Sequence, residues 1–378
     1  MPDVIAGIGC TTRDNIITAS SADLDAFLRT QRPAHPVQFA LTDEERDAYR
    51  RFGAKHGQHA WTPGGTVSNT LCAAAAVRIE QRLPLGTVAW RGPAEYDDSI
   101  VSDVGLAHMR AWGIDLQPDY RTGFAREAYC LVDDASGEVH RIAIYERNAR
   151  IAGQPHWTPC ALLIMTLHDL LNGDAALFDY VARCRDLALL VADWRGAPLR
   201  THLGAFANLR YVIGQRRDFV ELELCDGDAR EFDAGVEHVE CVGTDGPRPI
   251  VWKGAGTRTA VQWELDATDA ASHLLGAGDG YAGAFLASRA AGLDAPEAHA
   301  IALARARRVM RSATSHAPRG EDLNEIFPPH IDRRSASGSE ASFATRLHAS
   351  PGLVVTSCGQ TGIDQLAIQT ARGVFAPA

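Results

Sequence analysis

No stretch of the 378 residues approaches the roughly 20 consecutive apolar residues that a membrane helix needs. The opening segment from Met1 to Ile8 lacks a basic start leading into a long apolar run, so no secretion signal is expected and the protein is expected in the cytoplasm. Positive charge is also short. A formal net charge of −10 leaves no general basic surface for nucleic acid, although a local amide-lined phosphate pocket remains open to it. Eight cysteines (Cys10, Cys72, Cys130, Cys160, Cys184, Cys225, Cys241 and Cys358) are scattered with no Cys-x-x-Cys pair, too sparse for a disulfide scaffold. They read as reduced thiols, mostly small core residues. There is no internal repeat and no Gly-x-x-x-x-Gly-Lys-Ser, so phosphates are not held by a P-loop.

What is present is enough for a large core, since 46% of the residues are hydrophobic. Val4-Ile5-Ala6-Gly7-Ile8-Gly9 reads as a buried first strand, and residues 66–82 as an alanine-rich helix entered through Pro63-Gly64-Gly65. Val88-Ala89-Trp90 predicts a strand and residues 101–112 a helix. Residues 121–146 change character: Tyr129-Cys130-Leu131-Val132, a polar turn from Asp133 to Gly137, then Arg141-Ile142-Ala143-Ile144-Tyr145 predict a β-hairpin projecting from the main body. Alternation then resumes, with strands at 162–165, 187–192, 209–213 and 236–242 and helices at 175–184, 282–291 and 295–314. Repeated strand–helix units predict an α/β fold, a mostly parallel central sheet with helices on both faces and a small β subdomain. One domain over 1–334, a serine- and glycine-rich linker over 335–352 and a short tail over 353–378 complete the expected organisation.

Two small-residue motifs carry the chemistry. Gly276-Ala277-Gly278-Asp279-Gly280 lets the backbone turn tightly into a helix whose N–H groups can hold phosphate charge, with an aspartate placed to take a proton from an attacking hydroxyl. Pro63-Gly64-Gly65-Thr66-Val67-Ser68-Asn69 lets backbone approach a ligand, with Asn69 offering both donor and acceptor. Alone, that second motif reads equally as a plain helix entry.

Asp14 after the first strand, Gly64-Gly65 with Asn69, and the late Gly276-Ala277-Gly278-Asp279 together resemble the ribokinase (phosphofructokinase-B) superfamily over residues 4–319. The run from Gly65 to Thr70, Gly278-Asp279-Gly280 and His316-Ala317-Pro318-Arg319 are similar to its bacterial inosine-guanosine kinase branch. The resemblance implies an ATP- and Mg²⁺-dependent kinase acting on the hydroxymethyl group of a nucleoside, with a ribose- or fructose-type sugar kinase and a silent nucleotide-binding protein as alternatives. It implies that Asp279 is the base, Gly276, Ala277 and Gly278 the anion hole, and Asp14, Gly64, Gly65 and Asn69 the binders of sugar hydroxyls. Gly243, Thr244 and Gly246 fall at its nucleotide turn, and the 121–146 hairpin at its lid. Its Asn-x-x-Glu corresponds to Gln215-Arg216-Arg217-Asp218, so Asp218 stands where Mg²⁺ is held through water; it reads equally as a surface acid pairing with Arg216 or Arg217. His273-Leu274 replaces its Asp-Thr, leaving a monovalent-cation requirement open. His316 and Arg319 read more simply as closing a helix end than as ligand contacts, and the tryptophans as packing. The implied partner is a small nucleoside or sugar, with a homodimer as the family's usual assembly. The tail from Thr356 to Asp364 resembles the opening strand and glycine loop of a Rossmann-like molybdenum-carrier family.

Overall fold

The apolar runs fold into the strands of two sheets. The computed structural model describes residues 4–31, 37–38, 41–56, 60–95, 100–191, 206–246, 248–263, 275–311 and 330–331. In chain order its strands are β1 (Ile5–Ile8), β2 (Thr12–Ala19), β3 (Val37–Gln38), β4 (Ala60–Gly64), β5 (Val88–Glu95), β6 (Asp115–Arg121), β7 (Ala125–Asp133) and β8 (Val139–Arg147). They continue with β9 (Leu162–Thr166), β10 (Asp186–Val191), β11 (Leu209–Gln215), β12 (Glu240–Asp245), β13 (Arg248–Lys253), β14 (Val261–Trp263) and β15 (His330–Ile331).

Nine strands form the main sheet in the order β14-β13-β12-β11-β10-β9-β1-β5-β6. The seven from β12 to β6 are parallel, and β13 and β14 add an antiparallel edge. The short β1, wholly apolar, and β9, apolar up to Thr166, are what a sheet covered on both faces requires. One apolar core lies under the helices Thr66–Glu80, Ile100–Ala111, Ala277–Ala290 and Ala295–Arg311, and a second under Ala175–Arg183 and Arg216–Glu221. The chain leaves β1 toward β5 and β6 on one side and toward β9 through β12 on the other. The order therefore reverses at β1, the point where such sheets open a crevice beyond their carboxyl ends.

The second sheet runs β15-β4-β2-β7-β8-β3. Its alternation separates two faces. Ile17, Tyr129, Leu131, Ala143 and Tyr145 pack under the helices Ser21–Leu28 and Asp43–Lys55, while Thr12, Asp14, Ala128, Cys130, Ile142 and Ile144 face the crevice. Thr42 and Glu45 cap the Asp43–Lys55 helix reciprocally, at 2.8 and 3.2 Å. The expected hairpin is thus two strands of a six-stranded layer.

The expected strand over 236–242 is a correction: Ala234–Val236 is a 3₁₀ turn, capped by Asp233 through the Gly235 N–H at 2.8 Å, and the strand begins at Glu240. Among the described residues no helix is long and apolar enough to cross a membrane. The linker and tail lie outside the described residues, as do His273-Leu274, His316 and Arg319.

Candidate active site

The site is built where two helices begin. Thr66–Glu80 starts at Gly65 (φ 107°) and Ala277–Ala290 at Gly276 (φ 77°), and neither start carries a side-chain cap. Both glycines sit in the left-handed region that other residues pay to enter. The two helices approach at glycine distance, since a Cβ on Gly283 would stand 1.9 Å from the Thr70 carbonyl oxygen. That closeness sets Asn69 Nδ2 to donate to Asp279 Oδ2 at 3.1 Å across the two first turns.

Hydrogen bonding within the later helix begins with Gly280 N–H to the Gly276 carbonyl at 2.9 Å. The N–H groups of Ala277, Gly278 and Asp279 therefore have no partner inside the helix and concentrate the positive end of its dipole there. A Cβ on Gly278 would meet nothing within 4 Å.

Opposite, β2 brings Asp14 down over Gly64, where a Cβ would stand 1.9 Å from its Oδ2. Burial pushes the Asp279 carboxyl up to about 7, with the Asn69 hydrogen bond holding it down. Burial and the neighbouring Asp279 charge push Asp14 up to about 8, against the pull of Arg126. Arg126, from β7, pairs with Asp169 at 3.1 Å and with Glu146 of β8 at 2.9 Å; Glu146 also meets His168 at 3.4 Å. These pairs join the smaller sheet to the segment after β9.

The crevice these residues line measures about 620 Å³. Its lining takes in Asp14, Asn69, Arg126, His168 and Asp169 with the apolar side chains of the smaller sheet, and Gln215, Arg217, Thr244 and Gly246 with Ile250, Tyr281, Leu303, Ala306 and Met310. The Gly276–Asp279 turn lies on the lining with both groups.

No protein-family model and no curated protein matches the sequence. Solved structures do. The chain is similar to adenosine kinase from Sinorhizobium meliloti (17% identity, TM-score 0.66, covering 84% of this chain and 96% of that one). It is similar also to adenosine kinase from Schistosoma mansoni in complex with 2-fluoroadenosine (14%, 0.68, 84% and 98%). A third is ribokinase from Cryptococcus neoformans var. grubii serotype A in complex with ADP (15%, 0.58, 84% and 97%). The fold is ribokinase-like.

Within the ribokinase-like fold the crevice brings Asp14, Gly65, Asn69, Thr244, Gly246, Gly276, Ala277, Gly278 and Asp279 together. Gly64 supports Asp14 from below. Gly243 does not reach the crevice; a Cβ there would press on the Phe219 ring at 3.0 Å. Thr244 Oγ1 donates to the Gly214 carbonyl at 3.3 Å, tying β12 to β11.

Asp218 is neither a surface acid nor a crevice residue. Its side chain is wholly buried and its Oδ2 accepts the Gln215 N–H at 2.8 Å, closing the start of the Arg216–Glu221 helix. A hydrated Mg²⁺ needs a carboxylate that water can reach, and this acid does not fit that task. Among the described residues no group of three or more His, Cys, Asp or Glu is arranged to hold a metal ion.

Sequence reasoning missed Arg126, His168 and Asp169. The hairpin pattern located Arg126 but gave no reason to single it out. The Thr166–Asp169 link, in which Thr166 Oγ1 accepts the Asp169 N–H at 3.0 Å, was readable as a helix cap and nothing more.

Proposed function

We propose that the protein is an ATP-dependent kinase transferring the γ-phosphoryl group to the hydroxymethyl group of a nucleoside. One observation carries the reading: a half-buried carboxylate, Asp279, is held by Asn69 beside helix N–H groups with no partner inside the helix, in a crevice at the switch point of a parallel sheet.

The chemistry follows from that geometry. The helix start stabilises negative charge on the transferring group. Asp279, raised toward neutrality by burial, takes the proton of the acceptor hydroxyl as its oxygen attacks phosphorus and ADP departs. Asp14 and Asn69 orient the acceptor's other hydroxyls, and the smaller sheet excludes water that would otherwise be phosphorylated instead. Mg²⁺ bound with the nucleotide would supply charge neutralisation, and no residue of the chain is assigned to hold it. The apolar group of Ile250, Leu303, Ala306 and Met310 is assigned to the nucleotide, beside Thr244 and Gly246.

The acceptor is assigned as a purine nucleoside of the inosine or guanosine type. Support comes from the apolar side chains of Ala128, Cys130, Ile142 and Ile144, which suit a ring, on the same lining as Thr166, His168 and Asp169, which suit its polar edge. The adenosine kinases among the structural neighbours agree with a nucleoside.

ADP release measured against inosine, guanosine, adenosine, ribose and fructose tests the assignment. Turnover is expected with a purine nucleoside and a loss of at least about 10²-fold in Asp279→Asn. Absence of turnover on every acceptor, or full turnover in Asp279→Asn, overturns the kinase; turnover on ribose or fructose alone overturns only the acceptor.

A further inference from the structure

Far from the crevice, at the amino-terminal ends of β9 and β10, two cysteines meet. Cys160 lies two residues before β9, and Cys184 follows the Ala175–Arg183 helix two residues before β10. Parallel pairing continues back past the strand ends, with Arg185 N–H donating to the Cys160 carbonyl at 3.1 Å and Asp186 N–H to the Ala161 carbonyl at 3.0 Å. This fixes the two backbones side by side. Cys160 Sγ stands 3.6 Å from Cys184 Sγ, donating to it, and the Tyr180 hydroxyl reaches Cys160 Sγ at 3.8 Å. Both residues are buried, 6% and 3% exposed, and Cys184 Sγ also donates to the Tyr180 carbonyl at 3.6 Å.

A sulfur–sulfur bond is about 2.05 Å long, so bond formation asks for a side-chain displacement of about an ångström and a half and leaves the strand pairing in place. We propose that Cys160 and Cys184 form a reversible dithiol–disulfide site in which Cys184 is the first to attack a small hydroperoxide and Cys160 resolves the product.

The step balances. The Cys184 thiolate attacks one peroxide oxygen, the O–O bond breaks, hydroxide leaves and a sulfenic acid forms on Cys184. Cys160, giving up its proton, attacks the Cys184 sulfur, the S–O bond breaks and a second hydroxide leaves. Two thiols and one hydrogen peroxide become one disulfide and two waters, and two electrons pass from the protein to the peroxide.

The order of attack follows from the asymmetry of the pair. The hydrogen bond from Cys160 holds the Cys184 thiol below the ordinary range, with Tyr180 and the Arg91 charge in support, while the same bond and burial push Cys160 up. At the other described cysteines burial prevails: it pushes Cys72, Cys225 and Cys241 up to about 12, Cys10 as far against the pull of Arg126, and Cys130 well above the ordinary thiol value. A thiol that stays protonated is a poor nucleophile.

The site is independent of the kinase assignment, and its test needs no turnover. The full chain is exposed to excess hydrogen peroxide, free thiols are alkylated, and the unreduced digest is mapped by mass spectrometry. The expected product is a Cys160–Cys184 crosslinked peptide pair lighter by two hydrogens and lost on adding dithiothreitol. In Cys160→Ser, and in Cys160→Ala as a packing control, dimedone is expected to trap a sulfenic acid on Cys184 with no crosslink. The oxidised wild type is expected to melt at a higher temperature than the reduced protein, since the bond closes a loop between positions 24 apart. No crosslink in the wild type, a crosslink to a different cysteine, or dimedone labelling of Cys184 that is as strong in the wild type as in the variants overturns the proposal.

Discussion

Asp14 and Asp279 are acids that the fold keeps short of water, and their proton is held more tightly than in an unfolded chain. The ordinary value for each is 3.8, and burial lifts Asp279 to about 7 and Asp14 to about 8. A base must be ionised to act, so the kcat/KM for the acceptor should fall about tenfold per pH unit below about 7, as an initial-rate profile would register. The sign for stability is the opposite of the usual carboxylate case. The folded protein keeps protons that the unfolded chain releases between pH 3.8 and about 7 to 8, so their stabilising contribution is whole below that window and lost as pH rises through it. Asp279→Asn should therefore melt higher than wild type at pH 8, with the gap closing toward pH 4, in scanning calorimetry. A variant that never outlasts wild type at pH 8 would contradict the burial of this charge. At this scale the sequence was legible where small residues flank a chemical one, as around Asp279 and Asn69. It was not legible for Arg126, Asp169 or Asp218, because a charged residue in a strand or helix start looks the same whether it faces a crevice, a partner or a cap.

Helix contact, the next scale up, decides whether Asn69 and Asp279 meet. Gly283→Val would drive side-chain carbons into the Thr70 carbonyl, and overpacking of this kind costs about 1–3 kcal/mol or more. A lowered melting temperature together with lost ADP release is expected, because the two first turns must separate. Gly278→Ala is the matched contrast: with open space around the added methyl and alanine's better helix propensity, the melting temperature should hold, while under the proposed function turnover should drop because the methyl stands where that reading brings the phosphate. The pairs that cross from the smaller sheet to the segment after β9 make a third test. Arg126→Ala takes the arginine partner from Asp169 and leaves Glu146 with its contact to His168, and a rise of about tenfold or more in acceptor KM, larger than any fall in kcat, is expected from steady-state rates. The hairpin was readable because a polar turn separates two apolar runs. β2 was not, since Thr12 to Ala19 alternates faces without an apolar run, and the two-residue β3 and β15 exist through their partners alone.

For the molecule as a whole, alternating apolar strands and alanine-rich helices were enough to predict a parallel α/β sheet, because burial on both faces leaves a signature that composition alone carries. The way the two sheets share the chain was beyond that signature, being a matter of long-range pairing. Between Ile8 and Leu162 the polypeptide passes from the main sheet to the smaller one and back twice, through residues 9–11, 65, 122–124 and 148–161, before β15 rejoins β4. A layer sewn on by several threads cannot be snipped off: no single deletion yields an open, uncapped crevice, and any opening must flex all of these tethers in concert. Gly65 is both one of those threads and the pivot from which Asn69 is aimed, so stiffening that lone junction should disturb how the layer rides over the crevice and how the helix beneath it points.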